Sequence, residues 1–493
     1  MFIYVQVKAP NIVVVRRGHT TCLNLIDGTT RAASSQVVLC RRGERYRRDK
    51  FSRMGGGESS MRERELWMAV RAWSSRVLVL CGLCLCLESV LANGFRNPPE
   101  GAAALGRTGG KIALTEDASA VSHNPANVAL IPTKDYVESL TIILAETEFT
   151  SKDGRHGETS GDVAWIPTVF FTSPATVMGK DVFLGIGLTS PWGQSTEWDE
   201  HGPFEFVAPH FAELRTIALT PTVSFKASEK VLIGLGLDVA YSDVTLNQRY
   251  AWGTVTGDPS TPPGNVSLEG DGVGVGGRFG ITWLMTDSQR LAFTARTRMN
   301  VDYDGNTKVL GIPSPAELPG PLGAIVTPRS NFETEIDFPA MLALGYGIKV
   351  DEKLRIGVDF EWIEFSSFDQ LPLNLGNNSV LLPFESVPEN WDDTITIGFG
   401  VEYDASDTIV LRGGYVWLES PVPEETLAPT LPDTDRHLLS IGLGYKYRQH
   451  TFDFAYALSF YDDLEVTTNL NPAYNGDYDV DSQLVQLTYN YRF

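Results

Sequence analysis

Residues 439–448 read Leu-Ser-Ile-Gly-Leu-Gly-Tyr-Lys-Tyr-Arg, with odd positions apolar and even ones small, polar or charged. A period of two marks a strand with one face in an apolar medium. The pattern recurs on both sides of this run. Ile395, Ile397, Phe399, Val401 and Tyr403 alternate with Thr394, Thr396, Gly398, Gly400 and Glu402. Leu354, Ile356, Val358, Phe360 and Trp362 alternate with Arg355, Gly357, Asp359 and Glu361. Val231, Ile233, Leu235, Leu237, Val239 and Tyr241 alternate with Leu232, Gly234, Gly236, Asp238, Ala240 and Ser242. Many runs begin or end in Tyr, Trp or Phe, where an aromatic girdle would sit.

Fourteen such strands are expected, at about 136–149, 163–172, 180–190, 212–226, 230–243, 271–286, 289–303, 332–349, 353–367, 391–404, 408–419, 436–448, 450–462 and 481–493. Short turns (173–179, 227–229, 287–288, 350–352, 405–407 and 449) alternate with long loops (150–162, 191–211, 244–270, 304–331, 368–390, 420–435 and 463–480). That rhythm predicts an all-β fold, a 14-stranded antiparallel transmembrane β-barrel over 136–493, with tight periplasmic turns and long outer loops. A closed barrel also leaves no unpaired edge in lipid. A soluble sandwich would lack the long/short rhythm, and a propeller would show a blade repeat that is missing. The last strand ends in Phe493, resembling the signal read by the outer-membrane barrel assembly machinery.

Composition agrees and excludes rivals. The 493 residues carry a net charge of −21, 43% hydrophobic residues and only 20% charged ones, so there is ample apolar surface to bury and disorder is excluded. The acidic balance argues against nucleic acid as a partner. The first 92 residues stand apart: they hold all five cysteines, 15 of the 40 basic residues and 7 of the 61 acidic ones. Within them, Arg62, Arg64, Arg71 and Arg76 precede the apolar run Val77–Leu87, and Val90-Leu91-Ala92 is a small-residue cleavage pattern. Residues 61–92 therefore read as a signal peptide, and 1–60 as a non-structural leader or an over-long gene start. The mature chain would start at Asn93, without cysteine and without an apolar run of 18 or more residues.

Residues 93–135 lack the two-residue period. They are Ala- and Gly-rich, with short helix-capable pieces broken at Pro98-Pro99 and Gly109-Gly110. A stretch too apolar for a free tail suits the bore of a barrel this wide, as an N-terminal plug or hatch of short helices. Here Asp117-Ala118-Ser119 followed by Asn124-Pro125-Ala126 resembles the plug signature of the FadL family of outer-membrane long-chain fatty acid and hydrocarbon transporters. The likeness continues through Ser190-Pro191-Trp192-Gly193 with Thr196-Glu197-Trp198, the run Leu219–Phe225, and Leu342–Phe368 with Glu361-Trp362 and Phe365-Ser366.

The resemblance implies passive uptake of fatty acids or similar hydrophobic small molecules by a monomeric barrel embedded in outer-membrane lipid. Ligand would be captured between outer loops, pass to a pocket at Asn93, Gly94 and Phe95, and leave sideways at a kink in the third strand. It makes Asp117, Ala118, Ser119, Asn124, Pro125 and Ala126 the hatch, with Asn124, Pro125 and Ala126 facing the gap. The kinked strand would be Lys180–Ser190, where Gly185 and Gly187 face the interior.

The residues themselves leave choices open. Gly185 and Gly187 either weaken the wall or make room for the plug. Trp192, Trp198, Phe204, Phe206 and Phe211 on the outer loop 191–211 form a greasy landing site, or pack that loop on its neighbours. Arg278, Arg296, Arg298, Arg355, Arg412 and Lys446 face inward; each either pairs with a ligand carboxylate or balances Asp238, Asp359, Glu361 and Glu402. Gly272-x-Gly274-x-x-Gly277 lies in a strand with no helix after it and is not a dinucleotide site. The histidines lack ligand spacing, Glu197, Asp199 and Glu200 read as a solvated acidic loop, and no nucleophile elbow is present, so neither metal, cofactor nor enzyme activity is expected. The alternatives to fatty acid uptake are a channel for aromatic hydrocarbons, a structural or adhesive surface barrel, or a porin.

Overall fold

The computed structural model describes residues 12–17, 20–25, 94–161, 163–382 and 385–493. The chain divides into compact units Met1–Ser75 and Arg76–Phe493. The first unit contributes an antiparallel hairpin of Ile12–Arg17 with Thr20–Leu25, for which the reading of 1–60 as a leader made no provision. The signal-peptide assignment and Asn93 lie outside the described residues.

In the second unit the alternating runs become fourteen strands. They are β1 (Asp135–Thr150), β2 (Val163–Val177), β3 (Lys180–Thr189, resuming at Gly193–Glu197), β4 (Phe211–Lys226), β5 (Val231–Tyr250), β6 (Gly264–Leu284) and β7 (Gln289–Arg296, resuming at Met299–Leu310). There follow β8 (Arg329–Phe338 and Met341–Lys349), β9 (Leu354–Ile363), β10 (Thr394–Asp404), β11 (Ile409–Leu418), β12 (Arg436–Tyr447), β13 (His450–Tyr461) and β14 (Gly476–Arg492). All neighbours are antiparallel, and β14 closes the ring on β1 from Asp477↔Thr150 to Arg492↔Asp135. Closure satisfies the backbone within the wall, the condition for crossing lipid.

The two faces differ as the alternation requires. Leu439, Ile441, Leu443 and Tyr445 stand exposed on the outside, while Ser440 is buried within. Phe225, Trp283, Tyr403, Tyr445, Tyr447 and Phe493 form an exposed aromatic set at the strand ends next to the short turns.

Several strands outrun expectation at the long-loop rim. β5 and β6 continue to Tyr250 and from Gly264, shortening the loop expected at 244–270. The cause is a phase change in hydrophobicity. Leu237, Val239 and Tyr241 face out, but beyond Ser242 the buried apolar residues are Val244 and, across the pair, Leu268. Where the outer face meets water instead of lipid, the apolar side chains turn inward.

The bore is filled by α1 (Ala102–Arg107), α2 (Lys111–Leu114), α3 (Ala120–His123) and a 3-10 turn at Pro125–Leu130. Glycines on the inner wall allow close approach: a Cβ at Gly234 or Gly280 would strike Asn124–Ala126, and one at Gly400 or Gly414 would strike Arg107.

Candidate ligand path and wall break

The wall has one-residue misfits, and the largest local consequence is in β3. Its lower part pairs with β4 at Phe183↔Ser224 and its upper part at Gly193↔Arg215, so one extra residue is accommodated between them, at Ser190-Pro191-Trp192. Pro191 has no N–H to give a ladder, and an extra residue bends a strand away from its partner. The β2–β3 ladder runs only from Val169↔Leu188 to Val177↔Lys180. Above it the strand ladders pair Val163–Thr168 with β1 and Gly193–Glu197 with β4, and the two sides meet again only at the rim, where Ser160 N–H donates to the Glu197 carbonyl at 2.8 Å and Thr159 bridges Trp198. Thr216 on β4 holds the bulge: its hydroxyl accepts from the Trp192 N–H at 3.1 Å and donates to the Trp192 carbonyl at 2.5 Å.

The N-terminal segment substitutes for the missing strand neighbour. Arg96 forms an antiparallel bridge with Trp192. Gly193 N–H donates to the Phe95 carbonyl at 2.8 Å, and Asn97 N–H to the Pro191 carbonyl at 3.1 Å. The Asn97 side chain adds a bond to the Ser190 carbonyl at 2.8 Å. The bulge therefore lies just beyond Gly185 and Gly187. Those glycines face inward and make room for Val121 of α3, the plug residue that a Cβ at either would press.

Gly94 has a φ of +55°, a region that favours glycine, and its N–H donates to Asp433 at 3.0 Å. Phe95 is enclosed by Trp192, Phe338, Phe365, Phe368 and Trp391, with ring centroids 5.1–5.8 Å away. On the long-loop side, Phe95, Phe368, Trp391, Leu214, Val244 and Ile336 border a largely apolar cavity. The next residue, Arg96, borders two further chambers on the plug side. Phe95 and its cage thus separate an outer cavity from inner ones.

Charges fix this divider. Arg96 pairs with Glu361 at 2.6 Å, and Lys111 of the plug bonds the same carboxylate and donates its backbone N–H to Asp359 at 2.8 Å. All six cations singled out from the sequence have protein partners, but Arg298 is not inward as expected: one extra residue in β7 between Arg296 and Met299 leaves it exposed while Met299 is buried. Arg278 and Arg296 share Asp238, Arg298 takes Glu364, Arg355 bridges Glu402 and Asp404, Arg412 bridges Glu402 and Asp453, and Lys446 takes Asp404. They balance the wall. In the outer cavity the loop carboxyl Glu389 is pushed up to about 8 by burial, against a weaker opposing bond from Trp391.

The hatch residues are firmly bound. Asp117 accepts from Ser119 N–H at 2.9 Å, and Ala118 N–H donates to Asp135 at 2.8 Å. Asn124 donates to the Ile112 carbonyl at 2.9 Å and to Thr282 on β6 at 2.8 Å, and caps Ala126. Ser224 on β4 donates to the Ala126 carbonyl at 3.0 Å. Asn124, Pro125 and Ala126 thus lean on β4–β6, and it is Val121 that fits the two glycines of β3.

The aromatic set of the outer loop 191–211 is split. Trp192 is buried in the Phe95 cage, and Trp198 and Phe204 pack with Phe149 and Tyr478 under the loops. Phe206 stays exposed and Phe211 half-buried at the start of β4. Three of the five therefore pack the interior and the loops, leaving Phe206 with Val207 as the exposed apolar pair. Sequence reasoning missed Phe338, Phe365, Phe368 and Trp391, which come together only through tertiary folding; Glu361, expected as a balancing acid, also proves to anchor the N-terminal segment.

A closed barrel with an apolar exterior, a filled bore and an interrupted wall defines an outer-membrane transport barrel. The chain belongs to the outer membrane protein transport protein family (OMPP1/FadL/TodX), whose profile matches residues 83–493, and it is an outer-membrane protein. It is similar to the long-chain fatty acid transport protein of Escherichia coli O6:H1 (strain CFT073), 24% identical over 386 residues, 72% of this chain and 84% of that protein. Among solved structures it resembles a Pseudomonas aeruginosa FadL homologue, with a TM-score of 0.70 and 21% identity over 81% of this chain and all of that one. It also resembles the Ralstonia pickettii toluene transporter TbuX, with a TM-score of 0.59 and 17% identity over 81% and 99% of the two chains.

Proposed function

We propose that this chain takes up long-chain fatty acids or similar hydrophobic compounds passively, by loop capture, transfer past Phe95 and lateral release into the bilayer beside β3. The observation that carries the reading is the wall break at Ser190–Trp192, stitched to the N-terminal segment that divides the outer cavity from the inner chambers. Because Phe95, Arg96 and Asn97 are bonded to the bulge, displacement of Phe95 by ligand would strain the bonds that hold the break. Each methylene moved from water into an apolar site gains about 0.8 kcal/mol, so partitioning alone supplies the drive. The wall break gives a route to lipid that avoids water, and the plug argues against an open aqueous porin.

A second reading, uptake of aromatic hydrocarbons, is favoured by the ring cage of Trp192, Phe338, Phe365, Phe368 and Trp391 around Phe95. Cells lacking their own transporters and expressing this chain decide between them, given labelled oleate and labelled toluene. Faster oleate entry supports the first reading, faster toluene entry alone the second, and no gain for either refutes both. We further propose that the chain works as a monomer and that its last strand, β14, is read by the barrel assembly machinery.

A further inference from the structure

Charge is strongly biased along the barrel axis. The seven connections at the long-loop rim (151–162, 198–210, 251–263, 311–328, 364–393, 419–435 and 462–475) hold 22 Asp and Glu against only Lys152 and Arg155. Both cations are already engaged, Lys152 by Glu465 at 3.0 Å and Arg155 by Asp153 at 3.1 Å. The strand walls beneath carry the same sign. Exposed carboxylates face one another across the ladders at Asp479↔Glu148, Asp481↔Glu146, Asp302↔Glu335 and Asp304↔Glu333. Like charges so placed repel, and this rim presents a negative field to anything that approaches from outside.

The outer cavity behind the rim offers an anion nothing in return. Phe368, Trp391, Leu214 and Val244 make its wall apolar, and among the described residues its charged groups are two acids, Glu389 and Glu213. Glu213 lies 3.6 Å from Arg215, but that guanidinium is held by Asp243 at 2.6 Å. Arg96, Lys111 and Arg278 border the chambers beyond Phe95 and not this one. Burial holds the Glu389 carboxyl well above the usual carboxylate range. Either of its protonation states excludes an anion. Ionised, it repels a second carboxylate; protonated, it leaves that carboxylate uncompensated against an apolar wall. A protonated carboxyl also has an O–H to donate and oxygens that accept, which suits a neutral oxygen head.

We propose that the outer cavity admits uncharged molecules and rejects anions, so that a fatty acid is captured as the undissociated acid, with Glu389 setting the preference. This deepens the uptake reading and rests on it, naming the form in which substrate is captured. The acid takes its proton from the medium before entry and returns it after release, so none is consumed.

The test is the initial uptake rate of labelled dodecanoic acid, dodecanol and dodecylamine, below micellar concentrations, by transporter-deficient cells, taken as the difference with and without this chain. The uncharged fraction of a carboxylic acid, whose ordinary value like that of glutamate is about 4.3, falls about tenfold from pH 6.5 to 7.5. The dodecanoic acid rate should fall at least fivefold over that step, while the dodecanol rate changes less than twofold. Dodecylamine, cationic at both values, should enter no faster than dodecanol. Glu389→Arg, which places a permanent cation in the cavity, should raise the dodecanoic acid rate at pH 7.5 at least fivefold and leave dodecanol within twofold. An acid rate that ignores pH, or faster entry of the amine, overturns the proposal in the wild type alone, so misassembly of the arginine variant cannot shield it. A correctly assembled arginine variant with no gain for the acid overturns the role of Glu389. Dodecanol entry with a pH-independent acid rate leaves the uptake reading standing, whereas no chain-dependent entry of any probe removes both.

Discussion

Glu389 shows how a single side chain sets the character of the outer cavity. It is half-buried among Leu371, Leu373, Phe368 and Trp391, and burial pushes it up to about 8, so the cavity carries a neutral carboxyl at neutral pH. Its folded value lies above the ordinary glutamate value of about 4.3. The folded protein therefore keeps a proton that the unfolded chain loses across that window, and this group's contribution to stability declines as pH rises from about 4 through about 8. Glu213, the other acid on this cavity, lies 3.6 Å from Arg215. Binding of a neutral probe such as methyl oleate should weaken as pH is raised through about 8, and Glu389→Gln should flatten that dependence. An unchanged pH profile in the variant would assign the effect to another group. None of this was legible beforehand: nothing in the pattern around Glu389 marks it as desolvated, and only packing of separate loops buries it. Asp117-Ala118-Ser119 and Asn124-Pro125-Ala126 were legible, because short-range caps and turns need those residue types locally.

At the scale of the element, the decisive object is the bulge of β3. The alternation located the strand but not its break, because the family likeness drew attention to Gly185 and Gly187, whose inward face makes room for Val121. The signal was Pro191 inside the run, a residue that a central strand tolerates only at an irregularity. Thr216 gives the bulge its two side-chain bonds. Thr216→Val keeps the shape and leaves the Trp192 N–H and carbonyl without that partner, which should cost about 1–3 kcal/mol. Urea titration of the folded barrel in detergent, read by its mobility on unheated gels, should show the earlier transition; a superimposable curve would mean that the bulge is held by other contacts. The upper halves of β5, β6 and β7 were unreadable for a different reason. Their apolar phase reverses where they leave lipid, as Met299, Val301 and Tyr303 turn inward beyond Arg298, so a search for one continuous register ends too early.

Across the whole molecule, the barrel was legible because lipid imposes the same rule on every strand: apolar side chains outward at alternate positions, with closure to satisfy the backbone. The plug was legible as the one long stretch that ignores the rule. What no pattern could reveal is the partition of the lumen, since Phe95, Phe338, Phe365 and Trp391 are brought together from four separate segments. A filled bore should conduct ions poorly, so planar bilayers containing the protein should show no large steady conductance, and porin-sized currents would contradict the plug. Lateral release makes the sharpest demand. Deleting Pro191 removes the extra residue that lets β3 leave the register of β2, and should let the wall close. The deciding measurement is the initial rate of labelled oleate uptake by transporter-deficient cells carrying either the wild type or the Pro191 deletion at equal surface levels. The account predicts a fall to less than a tenth of the wild-type rate; an undiminished rate in a correctly assembled deletion variant would contradict exit through the wall at β3.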